Sequence, residues 1–87
     1  MKKVKGSVVK IDKNPNQITR IVLDYAGRVR YVVFRGEPPK GVEIGKSYQF
    51  VVDNSRLRLV ECRVLDEYGN ISKRMFPSRS FRLFKNI

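Results

Sequence analysis

At 87 residues, the chain has the length of one domain and buries only about 60–65% of its unfolded surface on folding. It has no histidine and one cysteine, Cys62, which excludes an internal disulfide and leaves no His/Cys set to hold a metal. Nineteen Lys and Arg against eight Asp and Glu give a net charge of +11, a long-range positive potential that suits polyanions, nucleic acid first and an anionic membrane surface second.

The elements follow in chain order. Lys2 to Asp12 reads as a first strand, with Val4 and Val8 on one face, Val9 and Ile11 on the other, and Gly6 between them. A glycine inside a strand marks a bulge or a sharp bend. This basic start is too interrupted by Lys and Gly for a signal peptide, and no apolar run approaches the ~20 residues of a membrane span, so a cytoplasmic protein is expected (host cytoplasm for a viral one). Lys13-Asn14-Pro15-Asn16 is a turn cluster.

Gln17 to Gly36 reads as a β-hairpin rich in Val, Ile, Thr, Tyr and Phe, turning at Tyr25-Ala26-Gly27. With a three-residue loop and Gly27 left-handed, Asp24 faces Arg28, Val22 faces Arg30, Arg20 faces Val32 and Ile18 faces Phe34. One face then carries Arg20, Asp24, Arg28 and Arg30 around Val22, Val32 and Phe34, and the other carries Thr19, Ile21, Leu23, Val29, Tyr31 and Val33 as core. A two-residue Ala26-Gly27 turn would exchange the sets, moving Phe34 and Arg30 to the face of Ile21 and Leu23 and exposing Tyr31, Arg20 and Arg35.

Gly36 to Lys46 holds two prolines and three glycines, which exclude a long helix or a central strand; Val42 and Ile44 are expected to plug one end of the fold. Ser47 to Asp53 alternates again, with Tyr48 and Phe50 as core, and Arg56 to Leu65 returns after Asn54-Ser55, aligning Val52 with Leu57 and Phe50 with Leu59. Both phases of this last strand are partly apolar, as in a strand that bends or bulges. Asp66 to Asn70 ends it with turn residues. Residues 71–87 form a basic extension without acidic residues, in which Lys73, Arg74, Arg79, Arg82 and Lys85 alternate with Met75, Phe76, Phe81, Leu83, Phe84 and Ile87.

Five strands with turn signals roughly every ten residues predict an all-β fold, closed into a small barrel over residues 1–70. Gly6 in the first strand, the long hairpin Gln17–Gly36 and the segment Val42-Glu43-Ile44-Gly45-Lys46-Ser47-Tyr48-Gln49-Phe50 resemble the OB-fold, the five-stranded Greek-key barrel. The likeness covers roughly residues 3–66, and the chain also resembles the small archaeal and viral single-stranded DNA-binding members in being short and basic. The chain departs from that family in lacking a long helix between strands three and four; an SH3-like barrel is the alternative architecture.

Enzyme chemistry finds no support. The commonest general base, histidine, is absent, the serines have no evident partner base, the carboxylates are scattered, and no phosphate-cradling glycine motif is present. No cofactor is expected, and Cys62, mid-strand among core-like residues, reads as a buried small hydrophobe. The arginine-and-phenylalanine face is the better candidate, because single-strand binders combine basic grooves with stacking aromatic rings. Arg20, Arg28, Arg30 and Phe34 supply both. The OB resemblance implies that strands two and three bind, flanked by loops that here carry Lys13 on one side and Arg56 and Arg58 on the other. The expected activity is sequence-tolerant binding of single-stranded nucleic acid, DNA before RNA. The alternative is a structural or adaptor module that docks a partner or a second copy through the Phe-rich extension 71–87, as in a homodimer.

Overall fold

The structure is a computed structural model that describes residues 1–76. It is all-β: β1 (Lys2–Lys13), β2 (Ile18–Tyr25), β3 (Arg28–Arg35), β4 (Ser47–Asp53), β5 (Arg58–Leu65) and β6 (Ile71–Phe76). All six belong to one antiparallel sheet in the order β3-β2-β1-β4-β5-β6. The first four strands thus stand in Greek-key order, with β4 returning beside β1 after the 36–46 connection.

β1 is the axle of this sheet. Lys2–Ser7 pairs with β4 and Ser7–Lys13 pairs with β2. Where the partners change, Gly6 is buried against the Leu23–Asp24 backbone; a Cβ there would lie 2.9 Å from the Asp24 carbonyl oxygen and 3.0 Å from Leu23 Cβ. Just beyond, the pairing skips Val9 in a bulge, which adds local twist. The bulge also shifts the phase of the strand. Ile11 is opposite Ile21 and packs against the core with Val8, instead of sharing a face with Val9 as simple alternation predicts.

Bent at this point, the two halves of the sheet lay their apolar faces together. Val4, Val8, Ile21, Leu23, Val32 and Phe34 form one core with Tyr48, Phe50, Val52, Leu59 and Cys62. Tyr48 and Phe50 pack as tilted rings 5.8 Å apart. Thr19, fully buried, donates its hydroxyl to the Gly36 carbonyl at 2.5 Å, and among the described residues no buried side-chain polar atom lacks a partner. Val42 packs against the core, whereas Ile44 is exposed, so only one of the two expected plugs closes the fold.

Three expectations of the architecture are corrected. The sheet has six strands rather than five, because Ile71–Phe76, read as the start of an extension, pairs with β5. It does not close into a barrel: β3 and β6 are its edges, and one backbone hydrogen bond, Arg35 N–H to the Leu57 carbonyl at 2.7 Å, joins the end of β3 to the turn before β5. The β4–β5 register also differs. A four-residue turn from Asn54 to Leu57, braced by Asp53 accepting from the Ser55 amide and hydroxyl, sets Val52 opposite Leu59; a bulge at Val60 then sets Phe50 opposite Cys62. That bulge is why both phases of β5 are apolar. The expected partner-docking or dimerising residues Phe81 and Phe84, with residues 77–87 generally, lie outside the described residues. Among the described residues no helix is long and apolar enough to cross a membrane.

Cys62 is fully buried, and burial pushes its thiol pKa up to about 12. Since the thiolate is the reacting species, the native protein is expected to resist aromatic disulfide reagents at pH 8 and to react stoichiometrically once unfolded in denaturant. Fast labelling of the native protein would place Cys62 outside the core.

Candidate nucleic-acid interface

The face of the hairpin is decided at its turn. Ala26 at φ 52° and Gly27 at φ 80° form a two-residue turn with both central residues left-handed, the type I′ geometry whose twist suits a hairpin. Tyr25 is opposite Arg28, Leu23 opposite Arg30, Ile21 opposite Val32 and Thr19 opposite Phe34. Relative to the three-residue loop, every side chain of β3 changes face. Phe34, expected as the exposed stacking ring, is 1% exposed in the core. Tyr31, expected in the core, is 54% exposed on the outer face.

That outer face is assembled from β1, β2 and β3. Asp12 is opposite Arg20, Arg20 opposite Val33, and Val22 is flanked by Lys10 and Tyr31. The Arg20 guanidinium lies over the Tyr31 ring at 5.6 Å and donates to Asp12 Oδ2 at 2.9 Å. Lys10 approaches the other oxygen of Asp12 at 3.6 Å. The Arg20 hydrogen bond, reinforced by the charge of Lys10, holds the Asp12 carboxyl below the usual carboxylate range. The ionised Asp12 thus anchors Arg20 on the Tyr31 side of the face. Val29, 60% exposed, extends the apolar strip beside Tyr31.

The remaining expected site residues fall into two groups. Arg28 and Arg30 belong to the core-side phase of β3 but lie beyond the core, at the turn end, and are exposed. Arg30 stacks over the exposed Tyr25 ring at 5.8 Å, a second cation–aromatic pair. At the opposite end of the hairpin, the Arg35–Leu57 hydrogen bond brings the turn residue Arg56 and the first residue of β5, Arg58, beside Arg35. Lys13, at the end of β1 next to β2, is ion-paired with Glu37. Among the described residues, Arg28, Arg30, Arg35, Arg56 and Arg58 have no carboxylate within 4.0 Å. The hairpin thus carries cations at both ends and an arginine-capped tyrosine midway.

Six of the seven expected residues, Lys13, Arg20, Arg28, Arg30, Arg56 and Arg58, are exposed along or beside this hairpin; Phe34 is not. Tyr31, Tyr25 and Arg35 replace it as exposed groups. The signal for Tyr31 lay in the turn length, since the two-residue register exposes Tyr31, Arg20 and Arg35. Among the described residues no group of three or more acidic or Cys side chains is placed to hold a metal. Compared with protein-family models, curated proteins and solved structures, the chain matches none.

Proposed function

We propose that this chain binds single-stranded nucleic acid, DNA in preference to RNA, without sequence preference, across the outer face of β2 and β3. The observation that carries the reading is Tyr31, a half-exposed ring with the Arg20 guanidinium over it, on a hairpin with Arg28 and Arg30 at its turn end and with Arg35, beside Arg56 of the β4–β5 turn and Arg58 at the start of β5, at the other, none of these five with a carboxylate within 4.0 Å among the described residues. An exposed ring beside a guanidinium is a surface on which a base stacks; Arg35, in the same phase of β3 as Tyr31, would neutralise a phosphate with Arg56 and Arg58 beside it, while Arg28 and Arg30, in the other phase, add cations only at the turn end. The net charge of +11 supplies attraction at long range. The strand order β3-β2-β1-β4-β5 supports an OB-like, partly open Greek-key arrangement, in which the second and third strands form the binding face.

Stacking and phosphate contacts separate experimentally. Replacing Tyr31 with Ala is expected to weaken binding to oligo-dT by about 1–3 kcal/mol while leaving the salt dependence alone. The Arg35→Ala and Arg56→Ala variants are expected to flatten the slope of log affinity against log salt by roughly 0.7 per lost phosphate contact. Titrations of single-stranded DNA, the matched duplex and the matched RNA at two salt concentrations complete the test. Equal affinity for all three, or wild-type binding by the Tyr31 and arginine variants, would reject the hairpin as a single-strand site.

A further inference from the structure

A second surface lies away from the hairpin, on the other side of β1. It is a cleft of about 650 Å³ between the 36–46 connection and the β5–β6 hairpin. Lys40, Lys46, Lys73 and Arg74 surround it, and Tyr48, Val64 and Met75 form its floor. Lys46 is paired with Glu43 at 2.8 Å and Arg74 with Glu61 at 3.2 Å. Among the described residues Lys40 and Lys73 have no carboxylate within 4.0 Å. Four cations against two carboxylates leave the cleft with an excess of two positive charges.

Its wall is fixed from below. The buried Tyr48 hydroxyl accepts from the Glu43 amide at 2.9 Å and donates to the Gly41 carbonyl at 3.3 Å. Val8 on β1 pins the same connection through both backbone groups, donating to the Lys46 carbonyl at 2.9 Å and accepting from the Gly45 amide at 2.8 Å. A connection with two prolines and three glycines is thereby held in one shape at four points. Gly41, at φ 91°, lets it pass close over Met75: a Cβ there would lie 3.1 Å from Met75 Cε. The half-buried Val64 and Met75 leave an apolar shelf under the cations. A cleft of this volume, walled by a connection held by four hydrogen bonds and lined by apolar and cationic side chains, has the make-up of a small-ligand site.

We infer that this cleft binds a nucleotide, its phosphates on Lys40 and Lys73 and its base against Met75 and Val64. Inorganic oligophosphate would use only the rim; the apolar floor selects a nucleoside phosphate. The nucleotide is either free or the 5′-phosphorylated end of a strand. The inference does not rest on the hairpin as a binding face, since the cleft is lined by β4, β5, β6 and the 36–46 connection.

The test follows the Met75 methyl by carbon-13 NMR in the full chain, where Met1 is the only other methionine. Titrants are ADP, inorganic tripolyphosphate, and oligo-dT with and without a 5′-phosphate. A saturable shift with ADP, or one with the oligonucleotide that depends on its 5′-phosphate, is expected. It should occur at lower concentration than any shift with tripolyphosphate. Affinity should fall by roughly tenfold for each charge-assisted contact removed in Lys40→Ala and Lys73→Ala, and persist in Tyr31→Ala. No shift with ADP or the phosphorylated strand would overturn the inference. So would equal response to tripolyphosphate, or unchanged binding by the double lysine variant.

Discussion

Phe34→Ala is expected to cost about 3–5 kcal/mol of stability, against a total of roughly 4–13 kcal/mol for a domain of this length. The ring is 1% exposed and packs in the single core formed where the hairpin folds over β4 and β5. Truncation removes an aromatic side chain from between strands that meet only through such contacts, because β3 and β5 share one backbone hydrogen bond instead of a ladder. Urea unfolding followed by far-UV circular dichroism measures the loss. Phe34→Leu, which keeps most of the volume, is expected to lose less than half as much. Tyr31→Ala, exposed on the outer face, is expected to stay close to wild type in stability while losing nucleic-acid affinity. A Phe34→Ala protein as stable as wild type would return the ring to the surface and restore the three-residue turn.

That pair of residues also marks how far the sequence is legible. The strands themselves were readable, because Val, Ile, Tyr and Phe alternate with polar residues between clear turn clusters. Tyr48 and Phe50 read as core in the sequence and are buried, but so are Gln49 and Val51 on the other phase of the same strand. The face of β3 was not readable, because it depends on one turn residue. A type I′ turn normally places Asn, Asp or Gly at its first position, and here Ala26 occupies it at φ 52°. An alanine in that conformation goes against local preference, so local preference pointed to the longer loop. Tertiary packing decides otherwise: the two-residue turn buries Phe34 and Val32 beside Ile21 and Thr19, and leaves Tyr31 and Arg20 outside.

The misread positions in β1 and β5 have the same origin. Each strand contains one residue that the pairing skips, Val9 in β1 and Val60 in β5, and strict alternation cannot anticipate it. For the candidate site, the basic residues were legible as a set because charge at exposed turn and strand ends does not depend on register. The stacking ring was not, because it depends on register entirely. The cleft above Met75 had no sequence signal at all. Lys40, Lys46, Lys73 and Arg74 come from segments about 30 residues apart in sequence, and only the placement of β6 beside β5 brings them together.

Gly6→Ala tests the bend that sets the hairpin against the rest of the sheet. Gly6 is buried at the change of partner in β1, opposite Tyr48 on β4, with the Leu23–Asp24 backbone close on its other side. An added methyl would stand 2.9 Å from the Asp24 carbonyl oxygen and 3.0 Å from Leu23 Cβ, and the nearest obstacle is backbone, which cannot rotate away. The strands must separate or β1 must straighten, and overpacking of this kind costs about 1–3 kcal/mol. The exposed neighbour Lys5→Ala is the control, expected to change stability by no more than about 0.5 kcal/mol. The damage should be directional. The hairpin reaches the rest of the sheet through β1, so amide exchange in β2 and β3 is expected to accelerate more than in β4 and β5, whose own ladder is untouched. Affinity for single strands should then fall with the hairpin while the Met75 methyl keeps its response to ADP. If Gly6→Ala matches Lys5→Ala in stability and in exchange across all strands, the close approach at Gly6 is not what sets the bend.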